Sequence, residues 1–127
     1  MVDPSTKIVI IDDDTLYHEA VRAVADKLDG NVDLRCFSEA GAAMKEMADK
    51  PPDLLILDMR MPGMDGADVL EKLAADPNAR FPVLLLTGAR GLDQAHQLEK
   101  LNVTDVVTKP FEPGNLLDAL KRALGHN

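Results

Sequence analysis

The sequence predicts one α/β domain in which helices cover both faces of a parallel sheet. Short apolar runs alternate with segments whose apolar residues have helical spacing. Two of the runs, 54–57 and 83–86, contain no polar residue, as expected for central strands that are buried on both faces. Because parallel strands need right-handed crossovers, the alternation predicts a doubly wound sheet of five βα units. The chain has 127 residues, an ordinary size for one domain, and we assign residues 1–127 to it.

The first half of the chain supplies two strands and two helices. Residues 7–11 form a continuous apolar run, and residues 32–36 alternate apolar with charged side chains, as a strand at a sheet edge can. Ser38 is a candidate N-cap for the second helix. A first helix is predicted over residues 15–28, followed by Gly30 as a C-terminal signal. Its apolar stripe repeats every four residues at Leu16, Ala20, Val24 and Leu28, with Val21 and Ala25 beside them.

The second half supplies three strands and three helices. Asp65, with Asp68 three residues later, resembles a capping box before the third helix. A fourth helix near 92–101 has only a thin apolar stripe, and the last helix opens near Pro113 and ends at Gly125. The strand candidates are residues 54–57, 83–86 and 106–107.

Composition and charge narrow the class of protein. Hydrophobic residues at 46% and charged residues at 28% are typical of a globular chain. The net charge of -8, without a run of Lys or Arg, predicts no direct binding of nucleic acid or of anionic membranes. No apolar run approaches the ~20 residues of a membrane span, and no secretion signal is visible, so we expect a soluble, cytoplasmic protein. Cys36, the single cysteine, is expected to be a buried, inert thiol.

Polar side chains follow four of the predicted strands where they end. Asp12 and Asp13 follow the first strand, Asp58 the third, Thr87 the fourth and Lys109 the fifth. Parallel strands gather their carboxyl ends at one edge, where ligands bind. Carboxylates ~4 Å apart repel by roughly 4 kcal/mol at an effective dielectric of 20. The cluster therefore predicts a hard divalent cation, and oxygen ligands favour Mg²⁺.

The same residues indicate metal-assisted phosphoryl chemistry. The acidic loop contains neither G-x-G-x-x-G nor a Walker lysine, which excludes the simplest nucleotide sites. Asp58 is left as an oxygen nucleophile that could form an aspartyl phosphate. Lys109 and Thr87 supply an ammonium and a hydroxyl for the phosphoryl oxygens.

Other side chains near this loop have simpler interpretations. Asp14 fits a helix cap better than a metal ligand. His18, on the first helix, is expected to be solvated. Met59, Met61 and Met64 surround the loop after the third strand, and either loop packing or contact with a partner would account for them.

Five motifs stand in order along the chain, each at the end of a predicted strand or just beyond it. They are Asp12-Asp13, Asp58, Met61-Pro62-Gly63-Met64-Asp65-Gly66, Thr87 and Lys109-Pro110-Phe111. Each is weak alone, but the ordered set is specific. With it, the chain resembles the receiver domain of two-component response regulators along nearly its whole length. The resemblance implies a flavodoxin-like sheet with strand order 2-1-3-4-5.

The resemblance also implies the roles of the site residues. Asp58 would be the phosphoacceptor, taking a phosphoryl group from a phosphohistidine on a partner histidine kinase or histidine phosphotransfer protein. Thr87 and Lys109 would contact the phosphoryl oxygens, and the peptide between Lys109 and Pro110 would be cis. Transfer and acyl-phosphate hydrolysis would be self-catalysed, so we expect no enzyme activity on other substrates.

A magnesium site is implied on the same grounds. Mg²⁺ would be held by Asp13, Asp58 and the backbone carbonyl of Arg60, with Asp12 acting largely through water.

The chain departs from the family at the position that usually couples the site to its output. Many receivers carry Tyr or Phe three residues before the lysine, where this chain has Val106. The residue after Thr87 is Gly88, often Ala in the family. We still expect phosphorylation to change the face made by the fourth predicted helix, the fifth strand and the last helix, with a homodimer through that face as one outcome.

Two other functions stay open at this level. An aspartate-based phosphatase of the haloacid-dehalogenase kind would want Asp-x-Asp, but Asp58-Met59-Arg60 lacks the second acid. A degenerate receiver that only binds partners usually lacks one of the acids or the lysine, and this chain lacks neither. The cognate kinase, the output partner and whether the domain is part of a longer chain are not determined by the sequence.

Overall fold

The computed structural model describes residues 5–88 and 103–125. The strands are β1 (Thr6–Ile11), β2 (Val32–Phe37), β3 (Leu54–Asp58), β4 (Val83–Thr87) and β5 (Val103–Thr108). The described helices are α1 (Thr15–Ala25), α2 (Ala40–Asp49), α3 (Gly66–Ala74) and α4 (Pro113–Ala123). The helix predicted near 92–101 lies outside the described residues.

The five strands form one parallel sheet in the order β2-β1-β3-β4-β5. This confirms the doubly wound sheet and its flavodoxin-like order. In the register, Ile11 of β1 pairs with Leu57 of β3, which pairs with Leu85 of β4. Asp58 pairs one step later with Leu86. The carboxyl ends of the central strands therefore lie level with each other at one edge of the sheet.

Two apolar clusters fill the space between the sheet and its helices, one on each face. Alternate residues of the central strands enter each cluster, because side chains along a strand point to opposite faces. One cluster packs against α2 and α3 and the other against α1 and α4. Every residue of β3 and β4 is buried, as predicted from their uninterrupted apolar runs. The edge strands β2 and β5 are mostly half-buried.

Helix starts follow the capping signals in three of four cases. Asp14 caps α1 by accepting a hydrogen bond from the Leu16 backbone N–H. Asp65 and Asp68 form the predicted capping box of α3, and α4 begins at Pro113. The prediction for Ser38 was wrong: the cap residue of α2 is the next residue along the chain, and its side chain makes no capping bond. Packing of Ala40, Ala43 and Met47 in the core stabilises α2 without a side-chain cap.

The first helix is shorter than predicted, and its predicted apolar stripe is buried except at its start. α1 ends at Ala25 rather than at residue 28, and Gly30 lies beyond it with a positive φ of 82° in the turn to β2. Leu16, the first residue of the predicted stripe, is 75% exposed. The buried residues of α1 are His18, Val21, Val24 and Ala25.

Cys36 is half-buried rather than fully buried. It lies on β2, an edge strand with a neighbour on only one side. The Arg22 guanidinium donates to its sulfur at 3.4 Å. Burial nevertheless outweighs this contact and raises the pKa of the Cys36 thiol, so the thiol form predominates at neutral pH.

The longest described helices, α1 and α4, have 11 residues each. A membrane span needs ~20 apolar residues in one helix. Within residues 5–88 and 103–125, no helix meets the length and apolarity required to cross a bilayer.

Candidate functional site

Three predicted acidic residues come together at the carboxyl ends of β1 and β3. Because Ile11 pairs with Leu57, the next residues along each strand, Asp12 and Asp58, lie side by side. Asp12 is fully buried, and Asp58 is 4% exposed. Asp13 is exposed at the surface, yet one oxygen of each of the three carboxylates lies within 4.8 Å of the others.

Lys109 reaches this acidic group from the end of β5. Thr87 pairs with Thr108 in the sheet, and the Lys109 backbone N–H donates to the Thr87 carbonyl at 2.7 Å. The Lys109 ammonium lies 2.7 Å from Oδ2 of Asp12 and 3.5 Å from Oδ2 of Asp58. The cis peptide between Lys109 and Pro110 is present, as predicted.

Thr87 is buried at the end of β4 with its hydroxyl at the same edge of the sheet. That hydroxyl donates to the Gly88 carbonyl at 3.3 Å, a long bond to an adjacent residue. A hydroxyl held by so weak a contact can turn to donate to another acceptor.

Burial is the main reason that the Asp58 carboxyl is harder to ionise than an ordinary aspartate. Burial, followed by the charge of Asp12, raises the pKa of Asp58 to about 6. The Lys109 ammonium and a hydrogen bond from the Arg60 backbone N–H, 3.2 Å from Oδ1, oppose this shift. The environment of Asp58 therefore favours neutralisation of its negative charge.

The Lys109 ammonium is held by charges and by an aromatic ring. Burial works against its charge, but contact with Asp12 and then with Asp58 prevails and raises the pKa of Lys109. The ammonium also lies 4.1 Å from the centre of the Tyr17 ring, a cation–π contact. The Tyr17 ring in turn lies 6.0 Å from that of Phe111. Sequence reasoning missed Tyr17, because nothing in its local pattern shows that the start of α1 lies beside the end of β5.

The donor set of the acidic group fits a hard divalent cation. All three side chains offer carboxylate oxygens, the ligands that Mg²⁺ prefers. Oδ2 of Asp12 has the ion-pair contact with Lys109 but, among the described residues, no hydrogen bond of acceptable geometry. Asp14 is not part of the group and caps α1 instead, as predicted. The place of the Arg60 carbonyl in the ligand set stays a prediction.

The loop after β3 packs closely against the end of that strand. The Gly66 backbone N–H donates to the Met59 carbonyl at 3.1 Å. A Cβ atom on Gly66 would stand 2.6 Å from the Asp58 carbonyl oxygen and 2.7 Å from Cα of Met59, so only glycine fits here. Met59 and Met61 are buried in the core beneath this loop, which favours the packing interpretation for both.

The expectation for His18 was wrong. His18 is only 7% exposed, and Nε2 of its ring lies 2.7 Å from the backbone carbonyl oxygen of Asp12. The spacing of residues 18, 21 and 25 could have indicated this burial, since it matches one face of a helix.

Comparisons with known proteins identify the family of this chain. A family model for the response regulator receiver domain matches residues 8–121. Response regulator protein TmoT of Ectopseudomonas mendocina is 34% identical over 124 residues, which are 98% of this chain and 55% of that protein. Response regulator protein TodT of Pseudomonas putida is 32% identical over 124 residues, 98% of this chain and 53% of that protein. The chain thus spans about half the length of the curated relatives it matches.

Solved structures show the same fold. A response regulator receiver domain protein from Clostridium thermocellum superposes with a TM-score of 0.82 at 24% identity, covering 94% of each chain. The receiver domain of NtrX from Brucella abortus also gives a TM-score of 0.82, at 23% identity, covering 94% of this chain and 99% of that chain. With the family model matching most of the chain, these findings lead to one conclusion: the chain belongs to the response regulator receiver domain family.

Proposed function

We propose that this receiver domain is a phosphorelay switch that accepts a phosphoryl group on Asp58. The donor is a phosphohistidine on a partner histidine kinase or histidine phosphotransfer protein. One observation carries the proposal: the nearly buried Asp58 carboxylate lies at the end of a central strand, beside a second buried carboxylate and 3.5 Å from an ammonium. Such groups, with a pKa displaced by burial and by a neighbouring charge, are typical of functional sites.

In the proposed transfer, a carboxylate oxygen of Asp58 attacks the phosphorus atom. A P–O bond forms as the P–N bond to the donor imidazole breaks. The electron pair of the broken bond stays on the imidazole nitrogen, which takes up a proton. Lys109 stabilises the charge on the phosphoryl oxygens, and the Thr87 hydroxyl turns from the Gly88 carbonyl to donate to one of them.

The proposed magnesium site uses Asp13, Asp58 and the backbone carbonyl of Arg60, with Asp12 acting through water. When bound, the cation supplies positive charge against the phosphoryl oxygens. Asp12 holds the Lys109 ammonium at 2.7 Å and so keeps it close to the acceptor. The exposed position of Asp13 leaves that carboxylate accessible to an ion that keeps several waters.

We infer that phosphorylation is read out through Thr87 and Lys109. The phosphoryl group adds up to about two negative charges at Asp58, which attract both side chains. The bond of 2.7 Å between the Lys109 N–H and the Thr87 carbonyl links the ends of β4 and β5, so their movements are coupled. Val106, which stands where many receivers have an aromatic ring, is half-buried and packs against the core. Readout therefore depends on these strand ends rather than on a rotating ring.

The affected surface in this proposal is the face of the fourth predicted helix, β5 and α4. A shift there biases a two-state equilibrium, and a homodimer through this face is one output it would control. We also propose that the domain works in the cytoplasm.

The alternatives have weaker support. Arg60 is an exposed cation two residues after Asp58, where an aspartate-based phosphatase would need its second acid. A receiver that only binds partners has no use for a buried pair of carboxylates facing an ammonium. We therefore propose self-catalysed transfer and hydrolysis only, without turnover of other substrates.

Intact-mass spectrometry after incubation with Mg²⁺ and a small phosphodonor tests the proposal. Acetyl phosphate and phosphoramidate supply P–O and P–N donors, respectively. We expect the wild type to gain one phosphoryl group and Asp58→Asn to gain none. Asp14→Asn is the matched control, since it makes the same charge change outside the acidic group and keeps a capping side chain. Uptake by Asp58→Asn, or turnover of p-nitrophenyl phosphate by the wild type, would contradict the proposal.

A further inference from the structure

A buried histidine touches the backbone of the acidic loop. His18 lies on α1, one turn beyond the Asp14 cap, and is 7% exposed. Nε2 of its ring is 2.7 Å from the Asp12 carbonyl oxygen. A carbonyl oxygen can only accept a hydrogen bond, so Nε2 carries the proton and donates it.

Among the residues that the structure describes, no backbone N–H donates to the Asp12 carbonyl. β1 ends at Ile11, while the Asp12 N–H still donates to the Phe37 carbonyl at 3.0 Å. The carbonyl of Asp12 lies beyond the strand and would be a buried acceptor without its histidine partner. His18 thus takes the place that a neighbouring strand would otherwise occupy.

This bond fixes a peptide group that matters for the acidic cluster. The Asp12 carbonyl belongs to the peptide group that joins Asp12 to Asp13. Because that group is planar, the direction of the carbonyl fixes the backbone orientation at the start of Asp13. In the Asp12 side chain, Oδ1 accepts a hydrogen bond from the Asp14 backbone N–H at 2.9 Å, and Oδ2 faces the Lys109 ammonium. With His18 in place, every polar group of Asp12 is held in one orientation.

We propose that His18 is a positioning residue for the magnesium site, acting through the Asp12–Asp13 peptide. The histidine touches neither the cation nor the phosphoryl group. It keeps the carboxylates of Asp12 and Asp13 aimed at the position shared with Asp58. This inference rests on the magnesium site of the proposed function.

The test is the dissociation constant for Mg²⁺, followed in the folded protein by two-dimensional NMR at one fixed pH. His18→Leu removes the donor, and His18→Asn keeps a polar group that is too short to reach the same carbonyl. His18→Gln presents an amide nitrogen at a similar distance. Val21→Ala is the matched control, because it truncates a fully buried side chain on the same helix and keeps the His18 imidazole.

We expect His18→Leu and His18→Asn to bind Mg²⁺ about tenfold more weakly, as is typical when a partner of a ligand residue is lost. His18→Gln should stay within about threefold of the wild type. Val21→Ala should lower thermal stability but leave the dissociation constant within about twofold, because the His18 donor is kept. A purely structural role of His18 would make its variants behave like Val21→Ala.

The outcomes separate this inference from the proposed function. If the wild type binds Mg²⁺ and the Leu and Asn variants bind equally well, the positioning role is wrong and the magnesium site stands. A wild type that binds no Mg²⁺ would overturn both. If His18→Leu fails to fold, the comparison of His18→Asn with His18→Gln carries the same test.

Discussion

β3 and β5 end at the same edge of the sheet and each leads to one charged residue of the site, but the two residues are held differently. All five residues of β3 are buried, whereas in β5 only Val107 is. Asp58 takes its position from packing on both faces of a central strand. Lys109 takes its position from the groups it meets, chiefly Asp12 at 2.7 Å and the Tyr17 ring at 4.1 Å.

Under the proposed function, we expect this difference to separate phosphoryl acceptance from readout. Asp58 on its fully buried strand should stay aligned with Asp12 when the domain is phosphorylated. Lys109, held mainly by charge, should move when the charge changes, and the less buried strand before it should oppose that movement less. Substitutions on the two strands and around their ends can break or sharpen this contrast.

Truncating the core should cost far more in β3 than in β5. Leu57 is fully buried in β3, and Leu57→Ala should lower the free energy of unfolding by about 3 kcal/mol. Val106 of β5 is half-buried against the same cluster, so Val106→Ala should lower it by about 1 kcal/mol. Urea denaturation measures both. Equal losses would remove the basis for calling β3 the more rigid support.

Glycine replacements probe the backbone after each strand. In Gly66→Ala, the new methyl group meets backbone atoms at 2.6 and 2.7 Å, so we expect the free energy of unfolding to fall by about 2 kcal/mol. We also expect weaker Mg²⁺ binding, because one of these atoms belongs to Asp58. Gly114, near the start of α4, has nothing within 4 Å of an added Cβ. Gly114→Ala should instead raise the free energy of unfolding by about 0.5 kcal/mol, because alanine restricts the conformations of the unfolded chain. Denaturation curves and Mg²⁺ titrations of the two variants measure this, and a neutral Gly66→Ala would contradict the close packing after β3.

The pH dependence of stability probes the charge carried by β3. The pKa of Asp58 is about 6 in the folded protein, above the ordinary value of 3.8, so the folded state binds its proton more tightly. That contribution to stability is complete below pH 4 and is lost as the pH rises through about 6. Without Mg²⁺, Asp58→Asn should therefore be nearly neutral at pH 4. At pH 8 it should raise the free energy of unfolding by about 2 kcal/mol.

Denaturation at the two pH values in the presence of a chelator checks this prediction. Asp14→Asn is the control and should change stability by less than about 0.5 kcal/mol at both pH values, because asparagine caps a helix as well as aspartate. If Asp58→Asn raises the free energy of unfolding no more at pH 8 than at pH 4, the ionised form of Asp58 is not destabilised in the folded protein.

The smallest effect is expected at the ring beside Lys109. Tyr17→Leu removes the cation–π contact and should lower the free energy of unfolding by about 0.5 kcal/mol, whereas Tyr17→Phe keeps the ring and should be close to neutral. Thermal denaturation of the three proteins measures the difference. If Tyr17→Phe lowers the free energy of unfolding as much as Tyr17→Leu does, the ring does not help to hold Lys109.

The sequence predicted best where a local pattern decides the structure. Apolar runs that end in a polar residue located Asp58 and Thr87, and the register of parallel strands then placed them together. Contacts made across elements were missed. The burial of His18 depends on which residues of α1 pack on the sheet, and the predicted apolar stripe did not include it, although Val21 and Val24 of that stripe are buried. The contact between Tyr17 and Lys109 joins the first helix to the end of the last strand, and no spacing in the sequence encodes it.

The central claim is that, of the clustered carboxylates, Asp58 alone takes the phosphoryl group. Borohydride reduction after phosphorylation converts an aspartyl phosphate to homoserine, and peptide mass spectrometry then locates the modified position. We expect homoserine at position 58 and unmodified aspartate at positions 12 and 13. Homoserine at position 12 or 13, or at none of the three in a protein that has gained a phosphoryl group, would contradict it.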